Sequence, residues 1–119
     1  MTQEDKRLLI KDLCARLPYG VKINVPHHYE DEDGIITLDA FWLYDIQNGR
    51  KEIKPYLRPM GSMTPDERFE YDELNHFYTK GLTFNVDEID WLIAHHFDYR
   101  GLIPMGLALE AKEGMYKTE

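Results

Sequence analysis

Gly20-Val21-Lys22-Ile23-Asn24-Val25-Pro26 decides how the rest of this chain is read. Val21, Ile23 and Val25 alternate with Lys22 and Asn24, the period of a strand with one face buried and one face wet. Pro26 lacks an amide proton, so it limits the strand or puts it on an edge. Beyond it, Glu30-Asp31-Glu32-Asp33-Gly34 reads as an acidic turn. Ile35 to Ile46 reads as a second strand, rich in β-branched and aromatic residues, and its Phe41-Trp42-Leu43-Tyr44 run suggests burial on both faces. Asn48-Gly49 is a hairpin signal, with Arg50 to Leu57 returning as a third strand that Pro55 and Pro59 keep short.

Helices flank this block. Thr2 caps a segment from Gln3 to Leu17, with Asp5 at the capping-box position and Pro18 as the stop. Leu9, Ile10, Leu13, Cys14 and Leu17 recur at helical spacing, which predicts one apolar face with Cys14 as a buried, inert thiol. Arg16 in the last turn complements the helix dipole. Thr64-Pro65-Asp66-Glu67 joins an N-cap, a proline at the first helical position and a capping-box Glu, which predicts a helix to about Thr79 closed by Gly81. A further helix is expected from Asn85 to about Phe97, with Asn85 as cap, Glu88 completing its box and Gly101 stopping the helix. Leu107 to Ala111 is expected as a short last strand. Strands and helices are segregated, so the predicted fold is one α+β domain over residues 1–119. It has a small antiparallel sheet of three to four strands and about three helices packed mainly on one face.

The chain has 119 residues, is 43% apolar and 30% charged, and carries 14 basic against 22 acidic residues for a net charge of −8. Such a field repels nucleic-acid backbones and anionic membranes, so neither is an expected partner, whereas a basic protein surface is. Cys14 is the single cysteine, which excludes an internal disulfide framework and fits a reducing compartment. The N-terminal residues lack a signal-peptide pattern, and no window approaches a membrane span. The expected location is the cytoplasm.

Two histidine pairs, His27-His28 and His95-His96, raise a metal hypothesis, because imidazole is a common ligand. Adjacent residues diverge by about 100° on a helix and point to opposite faces of a strand, so neither pair bites one ion with both members. A site would need one His from each pair plus a carboxylate. The acidic turn lacks the ligand register of a calcium loop. There is no Gly-x-Ser-x-Gly elbow, no Walker loop and no Gly-rich dinucleotide turn, so no cofactor is expected.

Two features point to binding instead. Arg50, Lys51, Lys54 and Arg58 form a basic stretch, and Asp66, Glu67, Glu70, Asp72 and Glu73 form an acidic one. Such a split either steers a protein partner or reflects complementarity between hairpin and helix. Trp91, His95, Tyr99 and Arg100 form the second feature, in a segment of residue types enriched at interface hot spots or in cores.

Lys11-Asp12-Leu13-Cys14-Ala15-Arg16-Leu17-Pro18-Tyr19-Gly20-Val21, Lys54-Pro55-Tyr56-Leu57-Arg58-Pro59-Met60, Ala94-His95-His96-Phe97-Asp98-Tyr99-Arg100-Gly101-Leu102-Ile103 and Gly106-Leu107-Ala108-Leu109-Glu110-Ala111 carry a resemblance. Together they resemble a family of small proteins of Bacteroides-type gut bacteria and of their phages and prophages. Asn24 to Gly49 lies outside it. The resemblance implies a bacterial cytoplasm or an infected cell, and a mobile element, but no activity, cofactor or catalytic residue.

The expected function is therefore an acidic, protein-binding accessory or regulatory module without catalysis. Two alternatives stand beside it. One is a metal-assisted enzyme built on His27 or His28 with His95 or His96. The other is an acidic decoy that occupies a nucleic-acid-binding surface of a host protein. Self-association through the Trp91–Arg100 segment is a further, structural reading.

Overall fold

The structure, a computed structural model, describes residues 2–25, 35–49, 53–76 and 86–116. Helix α1 (Gln3–Arg16) starts at the expected capping box: the Thr2 hydroxyl accepts from the Asp5 amide and the Asp5 carboxylate accepts from the Thr2 amide. A 3₁₀ turn (Leu17–Tyr19) with Pro18 at its start ends in Gly20, whose φ of 71° reverses the chain into strand β1 (Lys22–Asn24). The alternation is borne out: Val21, Ile23 and Val25 are buried, while Lys22 and Asn24 are half-buried.

The second predicted strand is corrected. Strand β2 (Ile35–Thr37) is short, and the aromatic run belongs to helix α2 (Ala40–Gln47). Asp39 is the cause: it sits in extended backbone and its carboxylate accepts the Trp42 amide at 3.1 Å, a helix N-cap. A continuous apolar run has no period with which to separate strand from helix, so the cap decides. Asn48-Gly49 is accordingly not a hairpin turn. The Asn48 amide and side chain both donate to the Tyr44 carbonyl, closing α2, and Gly49 takes a φ of 112°.

Strand β3 (Lys54–Leu57) follows. After it come helix α3 (Pro65–His76), helix α4 (Val86–Ala94) and strand β4 (Leu109–Glu110). The described residues thus hold four α-helices rather than three. The sheet order is β2-β1-β3-β4, and it is mixed rather than wholly antiparallel. Ile23 faces Ile36 in the antiparallel β1–β2 pair and Pro55 in the antiparallel β1–β3 pair, whereas Tyr56 faces Leu109 in a parallel pair with β4. Pro55 is tolerated between two neighbours because β1 pairs with Lys54 and Pro55, and β4 only with Tyr56 and Leu57.

Leu9 and Leu13 of α1, Ile23 of β1, Leu57 of β3 and Leu102 belong to one buried cluster, which Ile46 of α2 joins. Tyr71, Leu92 and Phe97 form a second, with Trp91 and Tyr99 against it. Cys14 is exposed, contrary to the expectation. The buried stripe of α1 runs through Leu9, Asp12, Leu13 and Arg16, rotated away from the thiol because a buried ion pair takes part of the face. No helix among the described residues is long and apolar enough to cross a membrane.

Candidate functional site

Phe97 is the centre of the molecule's polar and aromatic residues. It follows α4, which ends before the expected Gly101. The Phe97 amide donates to the Leu92 carbonyl at 2.9 Å and the His96 amide to the Ile93 carbonyl at 3.0 Å. These are the paired bonds of a Schellman motif, with Leu92 and Phe97 supplying its apolar contact in the second cluster. The left-handed position is held by His96, at φ 66°, where glycine is the usual occupant. A side chain there costs about 1 kcal/mol. The next segment joins the sheet: the Arg58 amide donates to the His96 carbonyl and the Asp98 amide to the Arg58 carbonyl, each at 2.8 Å.

Arg58 closes one side. Thr64 and Glu67 make the predicted capping box of α3. The Glu67 carboxylate also accepts two bonds from the Arg58 guanidinium, at 2.6 and 2.7 Å. That guanidinium lies 4.2 Å from the centre of the Phe97 ring. Burial pushes the Glu67 carboxyl up, but Arg58 and Thr64 outweigh it and hold the group below its ordinary value. The His95 ring packs against Trp91 at a tilt of 31°, with centroids 4.3 Å apart, and its Nδ1 lies 3.9 Å from Glu67 Oε2. Trp91 in turn stacks on Phe97, with centroids 5.7 Å apart.

Arg16 closes the other side. It is wholly buried with Asp12 one turn earlier, to which its Nε donates at 2.6 Å. Its Nη2 donates to the Phe97 carbonyl at 2.6 Å. Arg100 adds a 3.1 Å bond to Asp12 and lies over the Tyr99 ring at 4.8 Å. His96 stacks on Tyr116 at 3.8 Å. Burial, then the Arg16 and Arg58 charges, push the His96 imidazole down to about 4, so it is neutral at pH 7. Burial likewise raises the Tyr116 phenol to about 12. That hydroxyl donates to the Tyr56 carbonyl and accepts the Lys22 amide, each at 2.7 Å.

The structure therefore brings Arg58, Trp91, His95, Tyr99 and Arg100 together around one loop and engages each in internal contacts. Lys54 stands apart, lining a cleft of about 260 Å³ with Asp5, Ile53 and Met105. Arg50, Lys51, His27, His28 and the acidic turn lie outside the described residues, as do Gly81 and the Asn85 cap. Among the described residues no group of three His, Cys, Asp or Glu side chains could hold a metal ion. The basic and acidic stretches meet within the chain at Arg58 and Glu67. The Phe97 node is a clamp of cations, carboxylates and rings packed on one another, although among the described residues Arg16 Nη1, Trp91 Nε1 and His96 Nδ1 are buried without a hydrogen-bond partner.

A different surface was missed in the sequence. On α2 only Ile46 is buried, and Phe41 and Tyr44 are 63% and 66% exposed. A groove of about 380 Å³ runs between the two first helices, lined by Gln3, Lys6, Arg7, Ile10 and Lys11 of α1 and by Gln47, one turn past Tyr44 on α2. Gln3, Arg7 and Lys11 follow the four-residue ridge of α1, while Phe41, Tyr44 and Gln47 follow the three-residue ridge of α2. Reading Asp39 as an N-cap is the signal that would have found this surface, since it turns the aromatic run into a helix with two sides. Comparison with protein-family models, with curated proteins and with solved structures finds no match to this chain.

Proposed function

We propose that this chain is a small protein-binding module, accessory or regulatory in role, that engages its partner through α2 and the adjoining face of α1. One observation carries the reading. Helix α2 is apolar around most of its circumference, yet leaves Phe41 and Tyr44 in solvent. A helix of that composition is ordinarily enclosed, and clustered exposed aromatics mark interaction surfaces. Burying a side chain of this size contributes about 1.5–3 kcal/mol, so Phe41 and Tyr44 supply anchors to which further contacts add. Lys6, Arg7 and Lys11 at the rim add steering and selectivity rather than most of the affinity.

Native mass spectrometry of the tagged protein, purified gently at low salt from cells that express it, tests the reading. The expected result is a stoichiometric protein complex with the native chain that is lost in a Phe41→Ser/Tyr44→Ser variant of unchanged circular dichroism. Equal recovery of the complex by the variant, or a bare monomer from both, sinks it.

A further inference from the structure

Helix α3 carries an exposed surface whose charge is opposite to that of the α1–α2 groove. Glu67 and Tyr71 face inward, each nearly buried. Phe69 lies two residues from both, about 200° around the helix, and therefore points outward. It is 69% exposed, the most exposed of the large apolar side chains among the described residues. Asp66 and Glu73, three residues before and four after it, stand on the same side, with Glu70 beside them, and all three are exposed. None of these carboxylates makes an ion pair among the described residues, and neither do Lys6, Arg7 or Lys11 across the molecule. One surface thus carries three cations lining the α1–α2 groove together with the exposed rings of Phe41 and Tyr44 on α2, and the other an apolar knob flanked by three anions.

We infer that the occupant of the α1–α2 groove is a second copy of this chain, which inserts Phe69 of α3 beside Phe41 and Tyr44 and sets Asp66, Glu70 and Glu73 against Lys6, Arg7 and Lys11. The inference rests on the reading of α1–α2 as a binding surface and names the partner. Charge complementarity on one chain favours it. A net charge of −8 on each copy opposes approach at long range, but that repulsion is screened beyond about 8 Å at physiological ionic strength. Once the helices meet, the local pairs of opposite sign and the burial of three aromatic rings decide. Groove and knob are different patches, so two copies join either as a reciprocal two-fold pair, each knob in the other's groove, or head to tail in a heterologous contact that closes as a ring where the rotation permits.

Sedimentation velocity over a wide concentration range tests this with two charge-reversed chains. One carries Lys6→Glu, Arg7→Glu and Lys11→Glu. The other carries Asp66→Lys, Glu70→Lys and Glu73→Lys. Every position is at least partly exposed, so both variants should keep the native circular dichroism. The native chain is expected to associate reversibly, and each reversed chain alone to associate roughly tenfold more weakly or worse. An equimolar mixture of the two restores association, because the acidic groove of one then meets the basic knob of the other, and conversely. A native chain that stays monomeric throughout overturns the second-copy assignment, as does association that neither reversal weakens. The module reading fails separately, through the recovery of a complex by the Phe41→Ser/Tyr44→Ser variant, so the two failures are distinguishable.

Discussion

The guanidinium of Arg16 donates a 2.6 Å hydrogen bond to the carbonyl oxygen of Phe97, 81 residues further along the chain. This bond fastens the end of α1 to the loop that follows α4. The donor is a fully buried cation, so the carboxylate of Asp12, also fully buried, is what makes its position tolerable.

Removing only one of those charges should be costly. Asp12→Ala leaves Arg16 buried without its counter-charge and releases Arg100, and is expected to lower stability by about 3–5 kcal/mol. The double change Asp12→Leu/Arg16→Met removes both charges and should lose less than Asp12→Ala alone. Denaturant midpoints of the three chains check this. A double variant less stable than the single one would show that the bond to Phe97, and not the ion pair, dominates.

Arg58 should not be replaceable by lysine. Its two parallel bonds to Glu67 and its place over the Phe97 ring both need a planar guanidinium. Arg58→Lys keeps the charge and is expected to cost about 1–2 kcal/mol, near the worth of one charged hydrogen bond. Thermal unfolding measures it, and an unchanged midpoint would mean that an ammonium serves as well.

Acid should weaken the fold through His96. Its imidazole, held at about 4 in the folded chain, returns to about 6.5 when unfolded. Between those values the unfolded state binds the extra proton, so stability falls as pH drops from about 6.5 to about 4, by less than the full shift implies because the ring is partly exposed. His96→Asn removes the titration and keeps a residue that tolerates the left-handed backbone. The variant is expected to be the less stable chain at pH 7, through loss of the stack on Tyr116, and the gap should close as the pH falls. Parallel pH profiles for the two chains would remove His96 as the cause.

Legibility followed the range of the interaction that fixes each element. The boxes at Thr2–Asp5 and Thr64–Glu67 were readable because every partner lies within one helical turn. The strand at Val21–Val25 was readable because its period survives in five residues. The run Ala40–Ile46 misled because it is apolar at nearly every position, and a single carboxylate at Asp39 turned it into a helix. Glu67 was recognised as a cap but not as the partner of Arg58, since one carboxylate accepts bonds from both a local amide and a cation nine residues away. Trp91, His95, Tyr99 and Arg100 were legible as a group of hot-spot or core residue types, but nothing local says that their side chains engage one another and Arg58.

By itself the sequence determined an α+β domain, two helix starts and one half-buried strand, because capping and periodicity act over a few residues at fixed backbone geometry. Only the tertiary structure decided that β4 pairs in parallel with β3, that Arg16 is buried while Cys14 is exposed, and that His96 takes the left-handed turn. Each of these depends on a partner far along the chain. Packing chooses among rotations and turns that local energies, of about 1 kcal/mol or less, leave nearly level.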